Sequence, residues 1–471
     1  MIALASLVAG RPVAHGSLLE VRSPYSGQVV GTVVQANRAD TESAIAGAAA
    51  FRATPTRYQR AEILEKTRVA LEARREEFAR TISSEAGLAL REGRYEVGRT
   101  IDVLRFAAME TLRDDGQIFS CDISAQGKPR KIFTTREPLR CAAAITPFNH
   151  PLNQVAHKVG PAIAAGTPLV LKPSEKTPLV ALLFAALLHE AGLPGPMLSV
   201  LLGPTAEVAE LLVRHPEVEV VAFTGSVPVG KRIAATAGYK KLVLELGGND
   251  PLIVLDDADL DLAVTLAAEG SYRNSGQRCT AVKRILVQAG IAPEFTRRLA
   301  ERTREYVCGD PLDEATRVGT VIDEASAIQL EAVVREAVAA GARVIAGGNR
   351  RGALMEPTVI VDVPRDCRMV VSESFGPLAP VMVVRDLDDA LEVANSTAYG
   401  LSSGVVTTNL NSAMKAIRTL RCGTVNINEV PGFRVESSPF GGIKDSGLGI
   451  KEGVVEAIKG YSFVKTFSLP W

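Results

Sequence analysis

The chain has 471 residues, of which 46% are hydrophobic and 23% charged. One hydrophobic core stops growing at roughly 250–300 residues, so this length predicts two or three domains, and the composition excludes a disordered, coiled-coil or collagen-like chain. The 53 basic and 53 acidic residues balance, which leaves no net charge for holding nucleic acid or an anionic membrane. The longest apolar run, Val180–Leu188, is far shorter than the ~20 residues of a membrane span. We therefore expect a cytoplasmic protein that binds neither.

The cysteine pattern does not predict a disulfide framework or a metal site. The six cysteines include no C-x-x-C pair and no cluster with histidine at zinc-ligand spacing. Reduced thiols are therefore expected, most of them as small buried residues. The cysteines are Cys121, Cys141, Cys279, Cys308, Cys367 and Cys422.

The first 140 residues predict helices followed by an exposed arm. From about Thr41 to Leu112, apolar residues recur every three to four positions, most clearly in Ala61–Leu71 and Arg91–Met109. Lys128–Pro138 instead mixes charged residues with Ile, Phe and Thr, which is typical of an exposed hairpin.

After Cys141, short apolar runs alternate with helical patterns. This alternation predicts βαβ units and parallel sheets covered by helices on both faces, hence two packed α/β domains with a cleft between them. The predicted strands are Cys141–Thr146, Pro168–Lys172, Met197–Gly203, Val218–Thr224, Lys241–Leu246, Ile285–Val287, Arg343–Ala346, Thr358–Val361, Val381–Val384 and Gly404–Thr407. The predicted helices are Asn153–Ala165, Pro178–Ala191, Ala206–Arg214, Val229–Ala237, Ile328–Ala340 and Leu387–Ser396.

Polar or glycine-rich residues follow five consecutive predicted strands. Ligands of open parallel sheets bind beyond the carboxyl ends of the strands, so these residues are candidates for a binding site. The glycine fingerprint G-x-G-x-x-G is absent, although Gly225–Gly230 offers a glycine, a hydroxyl and a helix start that could hold a phosphate. The strand-end residues are Asn149, His150, Lys172, Ser174, Glu175, Gly203, Thr224, Gly225, Ser226, Glu245 and Gly247.

Cys279 is the candidate nucleophile. It lies in a polar loop between Arg278 and Arg284, and a neighbouring cation stabilises a thiolate. None of the five histidines belongs to a recognisable Cys–His motif. A carboxylate is the better candidate for the base, and Glu245 is available upstream.

Seven motifs in order along the chain resemble those of the NAD(P)-dependent aldehyde dehydrogenase superfamily, over essentially the whole length. The resemblance implies an α/β fold with two doubly wound α/β domains and a small β oligomerisation arm. It assigns residues 1–120 and 141–247 to a dinucleotide-binding domain, 248–455 to a catalytic domain, and 121–140 and 456–471 to the arm. The motifs are PFNHP (147–151), LKPSE (171–175), FTGSVPVG (223–230), LELGG (244–248), GQRC (276–279), ESFGP (373–377) and SPFGGIKDSG (438–447).

The resemblance also implies a chemistry. Cys279 would attack the aldehyde carbon, and the Asn149 amide and the Cys279 backbone N–H would hold the oxyanion. After hydride transfer, Glu245 would activate the water that hydrolyses the thioester. The implied cofactor-binding residues are Lys172, Ser174, Glu175, Gly203, Thr224, Gly225, Ser226, Gly247, Glu373 and Phe375. Glu175 would accept hydrogen bonds from a ribose 2′-OH and repel a 2′-phosphate, which favours NAD over NADP.

Four residues are expected to bind the substrate. Arg278 directly precedes the nucleophile, and by alignment through LRFAA (104–108) and SPFGG (438–442) Arg99 and Arg434 fall at positions that line the substrate tunnel in relatives. Guanidinium groups there would match the geometry of a phosphate or phosphonate, and the alternative is that each arginine is a solvated surface charge. His150, next to the oxyanion asparagine, could donate to the same group or could simply pack. This set resembles the branch that oxidises phosphonoacetaldehyde to phosphonoacetate, and also the non-phosphorylating glyceraldehyde-3-phosphate dehydrogenases. A lactaldehyde or a semialdehyde remains an alternative substrate.

Two other classes of protein fit the sequence less well. A CoA-acylating dehydrogenase typically lacks the base corresponding to Glu245, and a non-catalytic protein of this fold would tolerate loss of Cys279 or Asn149. The resemblance further implies a homodimer or homotetramer joined through the arm.

Overall fold

The computed structural model describes all 471 residues. The chain begins with a three-stranded sheet and four helices. The strands are Ile2–Ala5, Val29–Val34 and Leu18–Arg22, in that spatial order. The helices are Arg38–Ala50, Arg57–Ala73, Arg75–Ala86 and Leu90–Thr111. Asn37 and Thr56 start the first two helices with reciprocal capping boxes, and Gly87 ends the third in the left-handed conformation that glycine adopts freely.

The first seven-stranded sheet contains the predicted strand–helix alternation. Its order, from one edge to the other, is Lys241–Glu245, Val220–Thr224, Ala142–Ile145, Leu169–Lys172, Leu198–Val200, Leu7–Val8 and Arg11–Pro12. The first five strands are parallel to one another. At the edge, Leu7–Val8 pairs antiparallel with Leu198–Val200, and Arg11–Pro12 pairs antiparallel with Leu7–Val8. The associated helices are Asn153–Ala165, Leu179–Glu190, Ala209–Arg214 and Val227–Thr236, with a 3-10 turn at Gly195–Met197.

The second seven-stranded sheet is parallel except at one edge. Its order is Arg343–Ala346, Thr358–Val361, Leu378–Val384, Val282–Gln288, Asp250–Val254, Ser402–Val406 and Thr424–Ile427, and only the first strand is antiparallel. Arg350–Arg351 and Leu354–Met355 form a separate small hairpin. The helices of this half are Leu260–Tyr272, Ala292–Arg304, Glu324–Ala339, Arg368–Val371, Leu387–Asn395 and Leu410–Thr419, with 3-10 turns at Arg273–Gly276 and Lys444–Ser446. The last helix, Val454–Gly460, packs instead on Leu90–Thr111 and Asn153–Ala165 of the first half.

A third sheet, the arm sheet, consists of Ile118–Ser120, Arg130–Pro138 and Ser462–Pro470. Its two long strands pair antiparallel over nine residues, and Phe133 stacks on Phe467 with ring centroids 5.4 Å apart. The predicted exposed arm is therefore present, and its long partner strand comes from the far end of the chain.

The predicted fold class is confirmed: the protein has an α/β fold with two doubly wound sheets and a small β arm. The residue limits of the three domains remain a prediction. No helix combines the length and the apolar character that crossing a membrane would require.

Candidate active site

The loop that carries Cys279 is shaped by three consecutive residues with positive φ. Asn274 and Ser275 have φ of 58° and 53°, and Gly276 has 70°. A Cβ on Gly276 would lie 2.1 Å from the carbonyl oxygen of Gly376, so only glycine fits there. The side-chain amide of Asn274 donates to the Asn149 carbonyl at 2.8 Å, which fastens this loop to the first sheet.

Asn149 lies beside the same loop. Its Nδ2 donates to the carbonyl oxygen of Gln277 at 2.9 Å, and the residue is buried. A primary amide has two N–H donors, so one remains available for an oxyanion formed at the neighbouring Cys279.

The Cys279 thiol is free and accepts no hydrogen bond from either flanking arginine, although Arg278 interacts with it electrostatically. Burial raises the pKa of this thiol to about 11, and the charge of Lys283 opposes that rise. Arg284 points away and donates to the carbonyls of Asn249, Val393 and Ala394, while Arg278 donates to the carbonyl of Gly270 at 2.8 Å. Neither guanidinium contacts the sulfur.

Glu245 ends a strand of the first sheet with a carboxyl group that has no hydrogen-bond partner on either oxygen. Burial raises the pKa of Glu245 well above its ordinary value of 4.5, and the charge of Glu452 raises it further, whereas Lys158 lowers it. A Cβ at Gly441 would lie 2.6 Å from Glu245 Oε1, so the glycine leaves room for the carboxyl. An unpartnered carboxyl with a raised pKa is suited to accept a proton near neutral pH.

A cavity of about 450 Å³ lies at the carboxyl edge of the first sheet. Six of the ten predicted cofactor residues line it: Lys172, Ser174, Glu175, Thr224, Gly225 and Ser226. Lys172 Nζ donates to Glu175 Oε1 at 2.8 Å. Gly225 and Ser226 directly precede the helix Val227–Thr236, whose N-terminal N–H groups favour an anion.

The cavity also contains buried hydroxyls without partners, Thr224 Oγ1 and Thr146 Oγ1. Unpaired buried polar atoms are destabilising, and a bound ligand rich in hydroxyl and phosphate groups would satisfy them. The residues present therefore fit a dinucleotide.

The remaining cofactor candidates lie elsewhere. Glu373 Oε1 accepts a hydrogen bond from the Gly248 N–H at 3.2 Å, and a Cβ on Gly247 would lie 2.1 Å from Glu373 Oε2. Phe375 packs edge-to-face on the cavity residue Phe148, with ring centroids 6.0 Å apart.

Gly203 is not among the cavity-lining residues. A Cβ there would lie 2.3 Å from the Ala36 carbonyl oxygen, so this glycine serves the close packing of the N-terminal segment.

Two of the three predicted tail arginines meet at a buried acid. Arg99 Nε and Nη2 lie 2.5 Å and 3.2 Å from the two oxygens of Glu436, and Arg434 Nη2 lies 4.0 Å from Oε2. His157 Nε2 contacts the same Oε2 at 2.5 Å. Burial would raise the pKa of Glu436, but Arg99 and His157 hold it well below the ordinary value. Arg99, Arg434 and Glu436 line one cavity of about 370 Å³.

Arg278 and His150 do not line this cavity. Arg278 Nη2 donates a hydrogen bond to the Gly270 carbonyl in the last turn of the helix Leu260–Tyr272, and Arg278 Nε is buried without a hydrogen-bond partner. His150 Nδ1 lies 3.6 Å from Glu96 Oε2, and burial lowers the pKa of His150. Glu96 also accepts hydrogen bonds from the Leu152 and Asn153 N–H groups, which positions the segment that carries His150.

Sequence reasoning missed several of the charged residues that shape the site. Glu436 and Lys283 contact predicted site residues directly, and the buried pair of Lys158 with Glu452 acts on Glu245. Alternation along the strand Val282–Gln288 was a usable signal, because it places Lys283 and Arg284 on opposite faces. No comparable local pattern distinguishes Glu436.

A parallel sheet with a ligand-sized cavity at its carboxyl edge, next to a loop bearing a thiol, is the architecture of a nucleotide-dependent oxidoreductase. Known proteins place the chain within that class. The family model described as "Aldehyde dehydrogenase family" matches residues 13–467. The chain therefore belongs to the aldehyde dehydrogenase family, whose members oxidise aldehydes with NAD or NADP.

Three relatives show the range of substrates and cofactors around this chain. The 3-sulfolactaldehyde dehydrogenase of Priestia aryabhattai is 40% identical over 442 residues, which are 94% of this chain and 92% of the relative. Aldehyde dehydrogenase 21 of Physcomitrella patens, solved with succinate, is 37% identical, with a TM-score of 0.96 and coverage of 100% and 99%. The glyceraldehyde-3-phosphate dehydrogenase GapN of Methanocaldococcus jannaschii, complexed with NADP, is 35% identical, with a TM-score of 0.92 and coverage of 98% and 100%.

Proposed function

We propose that this aldehyde dehydrogenase oxidises a short aldehyde with an anionic tail, most specifically phosphonoacetaldehyde to phosphonoacetate, with NAD as the cofactor. The observation that carries this proposal is the cavity lined by the guanidinium groups of Arg99 and Arg434. The charge of Arg434 also acts on the pKa of the Cys279 thiol, which brings the tail site and the nucleophile within electrostatic range.

The proposed chemistry begins at Cys279. The thiol gives its proton to the solvent and its sulfur forms a bond to the aldehyde carbon; the C=O electron pair moves onto oxygen, and the free N–H of the Asn149 amide and the Cys279 backbone N–H hold the resulting oxyanion. Bound nicotinamide would supply the acceptor for the hydride that the oxidation releases. Glu245 then takes a proton from the water that attacks the resulting thioester, and the acid leaves as the thiol is restored. The net reaction consumes the aldehyde, NAD⁺ and water and forms the acid, NADH and a proton.

The preference for NAD rests on Glu175. Its carboxylate is held by Lys172 at 2.8 Å and lines the cavity. A carboxylate in that place accepts hydrogen bonds from a ribose 2′-OH and repels a 2′-phosphate. Relatives of this fold include enzymes described as NAD-dependent and others complexed with NADP, so the choice has to be measured on this chain.

A tail with a single negative charge is the second candidate, and Glu436 is the observation that favours it. This buried carboxylate offsets one of the two positive charges of Arg99 and Arg434. One net positive charge suits a sulfonate or a carboxylate as well as it suits a phosphonate. The Priestia relative is described as acting on 3-sulfolactaldehyde, and the Physcomitrella structure holds succinate.

The deciding experiment compares kcat/KM, followed by NADH formation, for five aldehydes. These are phosphonoacetaldehyde, glyceraldehyde 3-phosphate, 3-sulfolactaldehyde, succinate semialdehyde and acetaldehyde. The proposal requires phosphonoacetaldehyde to have the highest kcat/KM. If 3-sulfolactaldehyde or succinate semialdehyde has the highest kcat/KM, the substrate belongs to the class of aldehydes with a singly charged tail. If acetaldehyde equals the anionic substrates, the tail site is refuted. Cys279→Ala must abolish oxidation while NAD binding persists; retained turnover would refute the proposed nucleophile.

The arm sheet is proposed as the surface that joins subunits into a dimer or tetramer. It exposes large apolar side chains that a monomer would leave in water: Phe463, Val464, Phe467, Leu469 and Trp471. Replacing Phe463 and Val464 with serine should shift the mass in light scattering towards the monomer, and an unchanged mass would contradict this interface.

A further inference from the structure

Lys283 is a buried lysine whose ammonium group has three partners around the nucleophile loop. It is the second residue of the strand Val282–Gln288, and its side chain is 2% exposed. Its Nζ donates to the carbonyl oxygens of Arg278 at 2.8 Å and Cys279 at 2.6 Å, and it lies 3.0 Å from Glu373 Oε1. The ammonium therefore makes two hydrogen bonds and one ion pair.

This arrangement connects two parts of the proposed site that are distant in sequence. Cys279 precedes the strand by three residues, whereas Glu373 belongs to the segment that precedes Leu378–Val384. The Gly248 N–H donates to the same Glu373 oxygen, and a Cβ on Gly248 would lie 2.5 Å from the Cys279 carbonyl oxygen. The lysine therefore sits at the junction of three loops, where a buried cation is tolerated only because it is paired.

We propose that Lys283 is a positioning residue for the nucleophile: it fixes the Cys279 backbone, and with it the thiol and the oxyanion-binding N–H, and it ties this loop to Glu373. The inference rests on the proposed role of Cys279. The Arg278 carbonyl shares a planar peptide unit with the Cys279 N–H, and the Cys279 carbonyl belongs to the next unit, so the two hydrogen bonds from Lys283 restrain the backbone on both sides of the Cys279 Cα.

Lys283 also has an electrostatic effect on the thiol. Beyond burial, the largest charge effects on Cys279 come from Lys283 and Arg434, which lower its pKa, and from Asp250 and Glu373, which raise it; Arg278 also interacts electrostatically with the thiol. The Lys283 charge is the largest of these four. Loss of Lys283 would raise the pKa of the thiol, and loss of Glu373 would lower it, so the two variants predict opposite shifts.

The test uses Lys283→Met, which keeps the length of the side chain and removes its charge. The readout is the rate at which iodoacetamide alkylates Cys279, followed by peptide mass spectrometry across a pH series. We expect the midpoint of the pH profile to rise, and the rate at a fixed pH below that midpoint to fall about tenfold for each pKa unit. The control is Lys240→Met, because Lys240 also donates to a backbone carbonyl, that of Val213, but lies outside the site. This control should leave the profile unchanged.

Steady-state kinetics separate positioning from simple stabilisation. Lys283→Met should lower kcat for acetaldehyde and for an anionic aldehyde by the same factor, because both use the same thiol. A variant that only melts earlier, with an unchanged alkylation profile and unchanged kcat, would overturn the proposal. If Lys283→Met does not fold, Lys283→Gln gives the second test: its amide can still donate to the loop carbonyls but carries no charge, so a raised alkylation midpoint supports the proposal, and an unchanged midpoint overturns it.

The inference and the proposed function fail in different ways. Turnover retained by Cys279→Ala would remove the nucleophile assignment, and with it the basis of this proposal, whatever the alkylation profiles show. Loss of turnover in Cys279→Ala, together with an alkylation profile that Lys283→Met does not change, would refute only the role of Lys283.

Discussion

Arg434→Met is the most direct test of the tail site. The guanidinium of Arg434 stacks 4.0 Å above the Phe440 ring, and its contact with Glu436 is a long one, at 4.0 Å. Arg99, by contrast, already makes two hydrogen bonds to Glu436. Arg434 therefore has more donors available for a substrate anion, while methionine would keep the packing on Phe440.

The magnitude follows from the loss of one charge-assisted interaction. Such an interaction contributes about 1.5–3 kcal/mol, so kcat/KM for an anionic aldehyde should fall roughly 10–150-fold. A neutral aldehyde should lose much less, through the smaller effect of Arg434 on the pKa of the Cys279 thiol. The assay is NADH formation with phosphonoacetaldehyde and acetaldehyde on the native protein and the variant. Equal losses on both substrates would mean that Arg434 supports the fold or the thiol and does not bind the tail.

Three further predictions concern carboxylates of the site. The Glu245→Gln variant should form one equivalent of NADH in a burst and then stop, because the thioester is no longer hydrolysed. In the native enzyme, the rate of acid release should increase with pH until well above pH 4.5, because burial raises the pKa of Glu245 and the carboxyl must lose its proton before it can act as a base. A variant with a normal steady state would exclude Glu245 as the base. The Glu175→Gln variant should have a lower ratio of kcat/KM for NAD to kcat/KM for NADP, because the repulsion of a 2′-phosphate is removed. An unchanged ratio would mean that other residues determine the choice of cofactor. The Glu436→Gln variant removes a negative charge from the tail site, so the ratio of kcat/KM for phosphonoacetaldehyde to that for succinate semialdehyde should increase by about tenfold. An unchanged ratio would mean that Glu436 does not affect tail binding.

Much of the fold was predictable because its elements follow simple periodic patterns. The bounds of Asn153–Ala165, Arg343–Ala346 and Thr358–Val361 agree residue for residue between sequence and structure. Asp250–Val254 was missed because proline usually argues against a central strand. The structure accommodates Pro251 through a register shift between Asp250 and Pro251.

The edges of the sheets were harder to predict. Leu7–Val8 and Arg11–Pro12 are two-residue strands at one edge, too short for any alternation to be visible. Thr424–Ile427, at the edge of the second sheet, is half-buried along its whole length and so lacks the apolar run of a central strand.

Site residues were predictable where they follow strands, and less so where side-chain direction matters. Motifs located Asn149, Glu245 and Cys279, which the structure brings to one region. The chain position of Arg284, close to the thiol, suggested a contact that the strand geometry forbids, because its side chain points to the opposite face from Lys283. The role of Glu436 could not be predicted from the sequence for a different reason: it contacts Arg99, from which it is separated by 337 positions in the chain.

The arm sheet has a consequence for how the chain is made. Arg130–Pro138 pairs along nine residues with Ser462–Pro470, so this pairing cannot form until the ribosome has passed residue 470. Until then, the nascent chain carries Phe133 on a strand that lacks its long partner, and such unpaired edges favour aggregation. Both large sheets can form earlier, since their last strand ends at Ile427. The arm sheet, and with it the proposed interface between subunits, can therefore be completed only after all strands of both large sheets have been synthesised.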